Sequence, residues 1–299
     1  MTKAMTNRRR MLAAGCALPA LALVRPAPAQ LTPDTPFVAT PMNVVEAMLD
    51  IAKVGPEDYL VDLGSGDGRI VIVAAKQRGA RGLGIELDGA LVNDARREAS
   101  RQGVADRVAF REENFFLTDL TRATVLTTYL YPRVNVTLRP RIFEQMKPGS
   151  RVVSHEFDFG NWKPDGQTTV KVPNKPYGPP RSDVFVWIVP ANAAGGWQWQ
   201  LAGLGKAQET YALKLEQTFQ TLRGTASLGG KPARLENARL RGERILFTLA
   251  GEIDGAPARR EFSGIIRGDA ITGKARVPHG ESGVEWRATR VAPGRIEFD

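Results

Sequence analysis

V-D-L-G-S-G-D-G, residues Val61 to Gly68, sets an acid near the end of an apolar strand, follows it with alternate glycines and opens onto an amphipathic run. The pattern points to a site for a nucleotide-like cofactor. Gly64, Gly66 and Gly68 let the backbone leave the strand sharply and approach a ligand where a Cβ would clash, with the ligand resting on the helix that follows. The dinucleotide fingerprint needs two residues between its second and third glycines. Only Asp67 separates Gly66 from Gly68 here. A second strand, Ala80 to Leu87, carries Glu86 near its end, where a carboxylate can accept both hydroxyls of a ribose. An acid at that place suits NAD as well, so Glu86 alone does not name the cofactor.

Outward from this unit the chain alternates strands and helices. Thr40 is placed to N-cap a helix with Pro41 at its first position, an apolar stripe of Val44, Val45, Met48 and Leu49, and Gly55 at its end. Strands are expected at Asp58 to Leu63, Arg107 to Glu112, Ala123 to Leu130 and Arg151 to Phe157, with helices at Arg69 to Arg78, Asp88 to Gly103 and Val134 to Met146. Thr168 to Val172 and Asp183 to Val189 read as a terminal hairpin. Such alternation argues a parallel sheet with helices on both faces. Beyond Pro190, A-N-A-A-G-G reads as a linker, and short alternating segments separated by turns such as Gly229-Gly230 and Asp254-Gly255 follow. They predict a small antiparallel sheet or partial barrel, with Arg267-Gly268-Asp269 as one of its turns.

The sequence D-L-G-S-G-D-G is a specific form of the first motif of the class I, seven-strand methyltransferases that use S-adenosylmethionine, and the chain resembles them from about Thr35 to Pro190. More narrowly, P-F-V-A-T-P at Pro36 to Pro41, V-V-E-A-M-L, G-I-E-L-D, and F-D-F-G-N-W at Phe157 to Trp162 resemble the small protein-lysine methyltransferases related to the mitochondrial enzyme that modifies the c-subunit of ATP synthase. The non-SET histone lysine methyltransferases are more distantly similar. Ala39 stands where that family usually has proline, and Asn114 where many relatives carry an acid. The resemblance implies a Rossmann-like seven-stranded α/β sheet, S-adenosylmethionine as cofactor, and a protein lysine as acceptor. It implies cofactor contacts at Thr40, Asp62, Gly64, Gly66, Gly68, Glu86 and Asn114. Tyr129 and Tyr131 at the end of the fourth strand, with His155 on the fifth, fall where open α/β sheets place substrates; Tyr131 is the candidate substrate contact. T-T-Y-L-Y-P lacks the N/D-P-P-Y/F form that relatives use on amides and exocyclic amines, which argues against adenine-N6 and glutamine acceptors.

Composition narrows the chemistry further. The net charge of +9 divides unevenly: residues 1–29 hold five basic and no acidic residues, 30–194 hold 20 of each, and 195–299 hold 16 basic and 12 acidic. The neutral middle gives no electrostatic reason to bind nucleic acid. Cys16 is the only cysteine. It lies in a segment expected to be removed, which excludes a cysteine nucleophile and a cysteine-held cluster. His155 and His279 stand far apart with no H-E-x-x-H pattern, so no metal site is expected.

Arg8-Arg9-Arg10, an apolar run from Met11 to Val24 and Ala27-Pro28-Ala29 have the layout of a cleaved export signal, with Asn7 to Leu12 approximating a twin-arginine form. The run is broken by Pro19 and falls short of the ~20 residues a span requires. The expected organisation is therefore 1–29 export signal, 30–190 methyltransferase domain and 196–299 β-rich domain, in a periplasmic or secreted protein with no transmembrane span in its mature chain. Two readings compete: a methyltransferase, and an exported binding or envelope protein that keeps the fold without turnover. A start at Met11 would instead leave the enzyme in the cytoplasm.

Overall fold

Strand β1 (Tyr59–Leu63) is an inner strand, third of seven in its sheet, and its apolar residues are buried on both faces. The computed structural model describes residues 37–176, 178–202, 208–276 and 283–298; the expected export signal and His279 lie outside them. Beside β1 run β2 (Arg81–Glu86), β3 (Val108–Glu112), β4 (Val125–Thr128) and β5 (Arg151–His155), all parallel, followed by β6 (Gly166–Lys171) and β7 (Arg181–Ile188). The order is β3-β2-β1-β4-β5-β7-β6, with β7 antiparallel to both neighbours. The direction of winding reverses between β1 and β4. In open α/β sheets the crevice at such a switch point, outside the carboxyl ends of the strands, is where ligands bind.

Helices α1 (Met42–Ile51), α2 (Arg69–Arg78), α3 (Gly89–Arg101) and α4 (Pro132–Gln145) form from the expected stripes. In α1, Val44, Val45, Met48 and Leu49 are fully buried, each contributing about 1.5–3 kcal/mol of transfer free energy. Asp88 caps α3 through Ala90 N, as expected of a short carboxylate at that place. Thr40 does not cap α1: Pro41 takes that position, and the Thr40 hydroxyl is engaged 3.1 Å away by His155 Nδ1.

Two strands end earlier than their apolar runs suggest. β4 stops at Thr128 because Pro132, whose fixed φ suits a first helical position, already opens α4. β5 stops at His155 because Glu156 takes a left-handed conformation, φ 68°.

The second sheet comprises β8 (Gly195–Ala202), β9 (Gln208–Thr218), β10 (Thr221–Leu228), β11 (Lys231–Arg241), β12 (Arg244–Ile253), β13 (Ala256–Arg267), β14 (Ala270–Arg276) and β15 (Val284–Pro293). Each pairs antiparallel with the next, and β15 returns to β8. The expected partial barrel is thus a closed one, with β16 (Ile296–Glu297) appended parallel to β9. Alternate residues fill the interior, among them Trp197, Trp199, Tyr211, Phe247, Phe262 and Trp286. Arg267-Gly268-Asp269 is a turn between β13 and β14, as its sequence implies.

A-N-A-A-G-G is a packed joint rather than a loose linker. Ala191, Ala193 and Ala194 are buried, and Gln217 accepts from Ala193 N at 2.6 Å while donating to Ala191 O at 3.0 Å. The barrel also meets the first sheet's layer through aromatic rings. Phe143 of α4 lies 4.7 Å from Trp162 and 5.1 Å from Phe298, and Trp162 stacks on Phe219 at 6.1 Å. The segment from Phe157 to Trp162 therefore runs from the carboxyl end of β5 to the foot of the barrel.

Candidate active site

The glycine loop is held open by its neighbours on β2. Gly64 N and Ser65 N both donate to Ile85 O at 2.9 Å, and Gly66 N donates to Glu86 Oε2 at 2.9 Å. The other Glu86 oxygen accepts from Leu87 N at 2.7 Å and Asp88 N at 3.1 Å. This fixes the carboxylate at the mouth of the crevice and leaves acceptor capacity for a diol. The two later glycines have different surroundings. A Cβ on Gly68 (φ 77°) would meet buried Phe110 at 2.6 Å and Ala95 at 2.8 Å, so this glycine brings α2 against the sheet. The nearest atoms to a Cβ on Gly66 (φ 53°) belong to the ring of Phe37, a residue that is 47% exposed.

Asp62 lies at the bottom of the crevice, 2% exposed, and accepts from Thr127 Oγ1 at 2.7 Å. Burial raises its carboxyl to a pKa of about 7, against the Thr127 hydrogen bond and with help from the charges of Glu86 and Asp67. Asp67 holds Arg69 through Nε at 2.9 Å, and Arg69 Nη1 donates to Thr40 O at 2.9 Å, which ties the segment before α1 to the glycine loop. Thr40, Asp62, Gly64, Gly66, Gly68 and Glu86 are thereby brought around one crevice. Asn114 sits beyond the end of β3 and caps the short 3-10 turn Phe115–Leu117, its Oδ1 accepting from Phe116 N at 3.0 Å.

The far wall is aromatic. Both tyrosines lie past the end of β4, and neither is fully buried. The Tyr129 ring lies 4.0 Å from the His155 ring, tilted by 35°, and stacks 6.1 Å from Phe157; Tyr131, 54% exposed, lies 6.0 Å from Phe157. Burial raises the Tyr129 hydroxyl above its ordinary pKa, with the Glu156 charge adding to it. His155 is fully buried, with Thr40 Oγ1 at 3.1 Å from Nδ1 and Ser182 Oγ at 2.9 Å from Nε2. Desolvation lowers its pKa to about 4, partly opposed by Glu156. It is thus a neutral ring that orients Thr40 rather than a free base.

Two residues here are not among the expected site residues, although Phe37 lies within P-F-V-A-T-P. Phe37 covers Gly66 from outside the motif, and Glu156 reaches the aromatic wall because a three-residue turn, closed by Phe157 N to His155 O at 2.9 Å, aims its side chain off the strand. A non-glycine residue in such a turn is strained, and strain of this kind clusters at functional sites. Glu156 pairs with Lys175, whose Nζ also donates to Arg181 O at 2.8 Å.

Comparison with known proteins matches residues 62–166 to the family model of the ANTKMT methyltransferase domain. The chain is 43% identical over 133 residues to a protein-lysine N-methyltransferase of Saccharolobus islandicus, covering 44% of this chain and 83% of that one. It is 35% identical over 132 residues to the adenine nucleotide translocase lysine N-methyltransferase of Mus musculus and 31% identical over 133 residues to the ATP synthase c-subunit lysine N-methyltransferase of Homo sapiens. Each of these two matches covers 44% of this chain, and they span 57% and 56% of the relatives, less than two thirds of their length. Among solved structures, an RNA methyltransferase from Salinibacter ruber in complex with S-adenosyl-L-homocysteine is 51% identical, covering 50% of this chain and 93% of that one with a TM-score of 0.46. The barrel lies outside residues 62–166.

Proposed function

We propose that this chain, which belongs to the class I S-adenosylmethionine-dependent methyltransferases in the family of the ANTKMT methyltransferase domain, transfers methyl groups to the side-chain amine of a protein lysine. The observation that carries the reading is the aromatic wall of Tyr129, Tyr131 and Phe157, set beyond the ends of β4 and β5 beside the glycine crevice. Such faces receive a lysine side chain and disfavour its charged form by desolvation, as a nucleophilic amine requires. The equal numbers of acidic and basic residues over 30–194 favour a protein over a nucleic acid.

In this reading Glu86 accepts the ribose hydroxyls and the Gly64-to-Gly68 backbone admits the cofactor closely. Asp62 and Thr40 face its amino-acid end, Asn114 the adenine, and Tyr131 the acceptor. When bound, the cofactor supplies an electrophilic methyl on a sulfonium. The protein's share is alignment: held in line, the amine attacks without an obligatory acid–base pair, and positioning of this kind supplies several kcal/mol of the barrier. His155 contributes by fixing Thr40, and Phe37 by excluding water from the loop.

The reading also retains helices on both faces of the sheet, the division into residues 30–190 and 196–299, and export of the mature protein. In its support, the buried residues of α1, α2 and α3 share one core cluster, whereas Phe143 of α4 packs on Trp162. Among the described residues no helix is long and apolar enough to cross a membrane.

The test is transfer of labelled methyl from S-adenosylmethionine into cell extract, followed by protease or ribonuclease. Label released by protease alone is expected. Label released by ribonuclease would overturn the lysine reading.

A further inference from the structure

Glu156 and Lys175 form the one carboxylate–ammonium pair described against the aromatic wall. Three observations place it there. The turn at Glu156 is anchored on both sides, by Glu156 N donating to Asp183 O at 2.7 Å and by Phe157 N donating to His155 O, so the carboxylate has a fixed direction. Its Oε1 lies 3.7 Å from His155 Nε2, and the His155 ring contacts Tyr129. The Lys175 side chain is only 8% exposed although it sits in the connection between β6 and β7, and it is held by Arg181 O as well as by Glu156. The connection is itself closed by Val172 N to Pro180 O at 2.9 Å and Lys175 N to Val172 O at 3.1 Å. A cation is therefore kept in place at the end of β5, next to where an acceptor amine would enter.

We propose that this pair belongs to the acceptor site: Glu156 accepts a hydrogen bond from the incoming lysine amine and orients it, and the fixed charge of Lys175 keeps that amine unprotonated. The proposal rests on the lysine reading above. Two ammonium groups sharing one carboxylate cannot both hold their charge cheaply in a partly desolvated site, and a neighbouring cation is a known way to activate an amine. Lys175 is held by two partners, and the mobile acceptor gives its proton to water. The neutral nitrogen then forms a bond to the methyl carbon as the carbon–sulfur bond breaks with its electron pair going to sulfur. The products are a methylated ammonium and the neutral thioether. The other titratable groups facing the pair are His155, which is neutral, Tyr129 and Tyr131 from the segment after β4, and Asp183, which is engaged by Thr169 Oγ1 at 2.5 Å.

The experiment measures methyl incorporation into ε-amines of total cell protein by mass spectrometry, from pH 6 to 10, for the full chain and for Lys175→Met, Lys175→Arg and Glu156→Gln. Retained binding of S-adenosylhomocysteine serves as the folding control. Lys175→Met is expected to move the acidic limb of the rate profile up by about one pH unit, losing about tenfold near neutrality and recovering at high pH. Lys175→Arg is expected to restore the original limb, because it restores the charge. Glu156→Gln is expected to raise KM about tenfold and to move the acidic limb down, because the carboxylate that favours the charged amine is gone while Lys175 remains. A merely structural pair would lower the rate equally at every pH in all three variants, and that result would overturn the proposal while leaving lysine as the acceptor. Methyl groups on no lysine at all would overturn both.

Discussion

Replacing each of two neighbouring glycines by alanine separates the loop's two tasks. At Gly68 the backbone is left-handed at φ 77°, and the added Cβ would lie 2.6 and 2.7 Å from Phe110 and 2.8 Å from Ala95. Both neighbours are buried and cannot retreat. Left-handed strain of about 1–2 kcal/mol and overpacking of about 1–3 kcal/mol then add to roughly 2–5 kcal/mol of lost stability. For a chain of this size that is a fall of roughly 5–15 °C in Tm. At Gly66, φ 53°, the strain is similar, but the Cβ meets the exposed ring of Phe37, which swings aside. Only about 1–2 kcal/mol of stability is lost there. The methyl group instead occupies the ligand side of the loop, where about 1–3 kcal/mol of overpacking weakens S-adenosylmethionine binding about tenfold or more. Thermal melting and titration calorimetry of both variants read the two effects. A Gly68→Ala protein that melts with the wild type, or a Gly66→Ala protein that binds the cofactor unchanged, would refute the reasoning.

Three further outcomes follow from the same geometry. Asp62, with its folded pKa raised to about 7 from 3.8, makes stability fall as pH rises from about 4 to 7, whereas His155, lowered from 6.5 to about 4, makes it rise over nearly the same window. The two slopes oppose in the wild type, so denaturant titrations without cofactor should show stability rising with pH in Asp62→Asn and falling in His155→Gln; two variants with the same slope would contradict the assignment. Trp162→Ala removes a fully buried ring packed on Phe143, Phe159, Trp187 and Phe219, and should cost about 3–5 kcal/mol in equilibrium unfolding. Tyr131→Ala, at an exposed position, should change stability by less than about 0.5 kcal/mol yet slow methyl transfer; a large drop in Tm would show a packing role instead.

The glycine motif, the acid at Glu86 and the strand–helix alternation were legible because each is a local pattern with a local cause. Closure of the barrel was not, since alternation predicts strands but not that β15 returns to β8. The joint at Ala191 to Gly196 looked like a linker because small residues signal flexibility unless something packs on them, and here Gln217 and Trp197 do. Thr40 reads locally as a helix cap, whereas its hydroxyl pairs with His155 across 115 residues of sequence, which no local pattern shows. Glu156 was missed for a related reason: nothing in H-E-F distinguishes a continuing strand from a left-handed turn. The tyrosines read as the end of β4 because T-T-Y-L-Y suits a strand up to the proline, whereas the strand ends at Thr128 before Pro132 opens α4.

The most direct test of the central claim is residue-level mapping of the transferred methyl. Purified protein, S-adenosylmethionine carrying a heavy methyl group and total cell protein are incubated together, digested and sequenced by mass spectrometry. The account predicts heavy mono-, di- or trimethyl marks on lysine ε-amines, reduced at limiting cofactor when Gly66→Ala replaces the wild type. Heavy methyl on another side chain or on nucleic acid, with lysines unmarked, would contradict it.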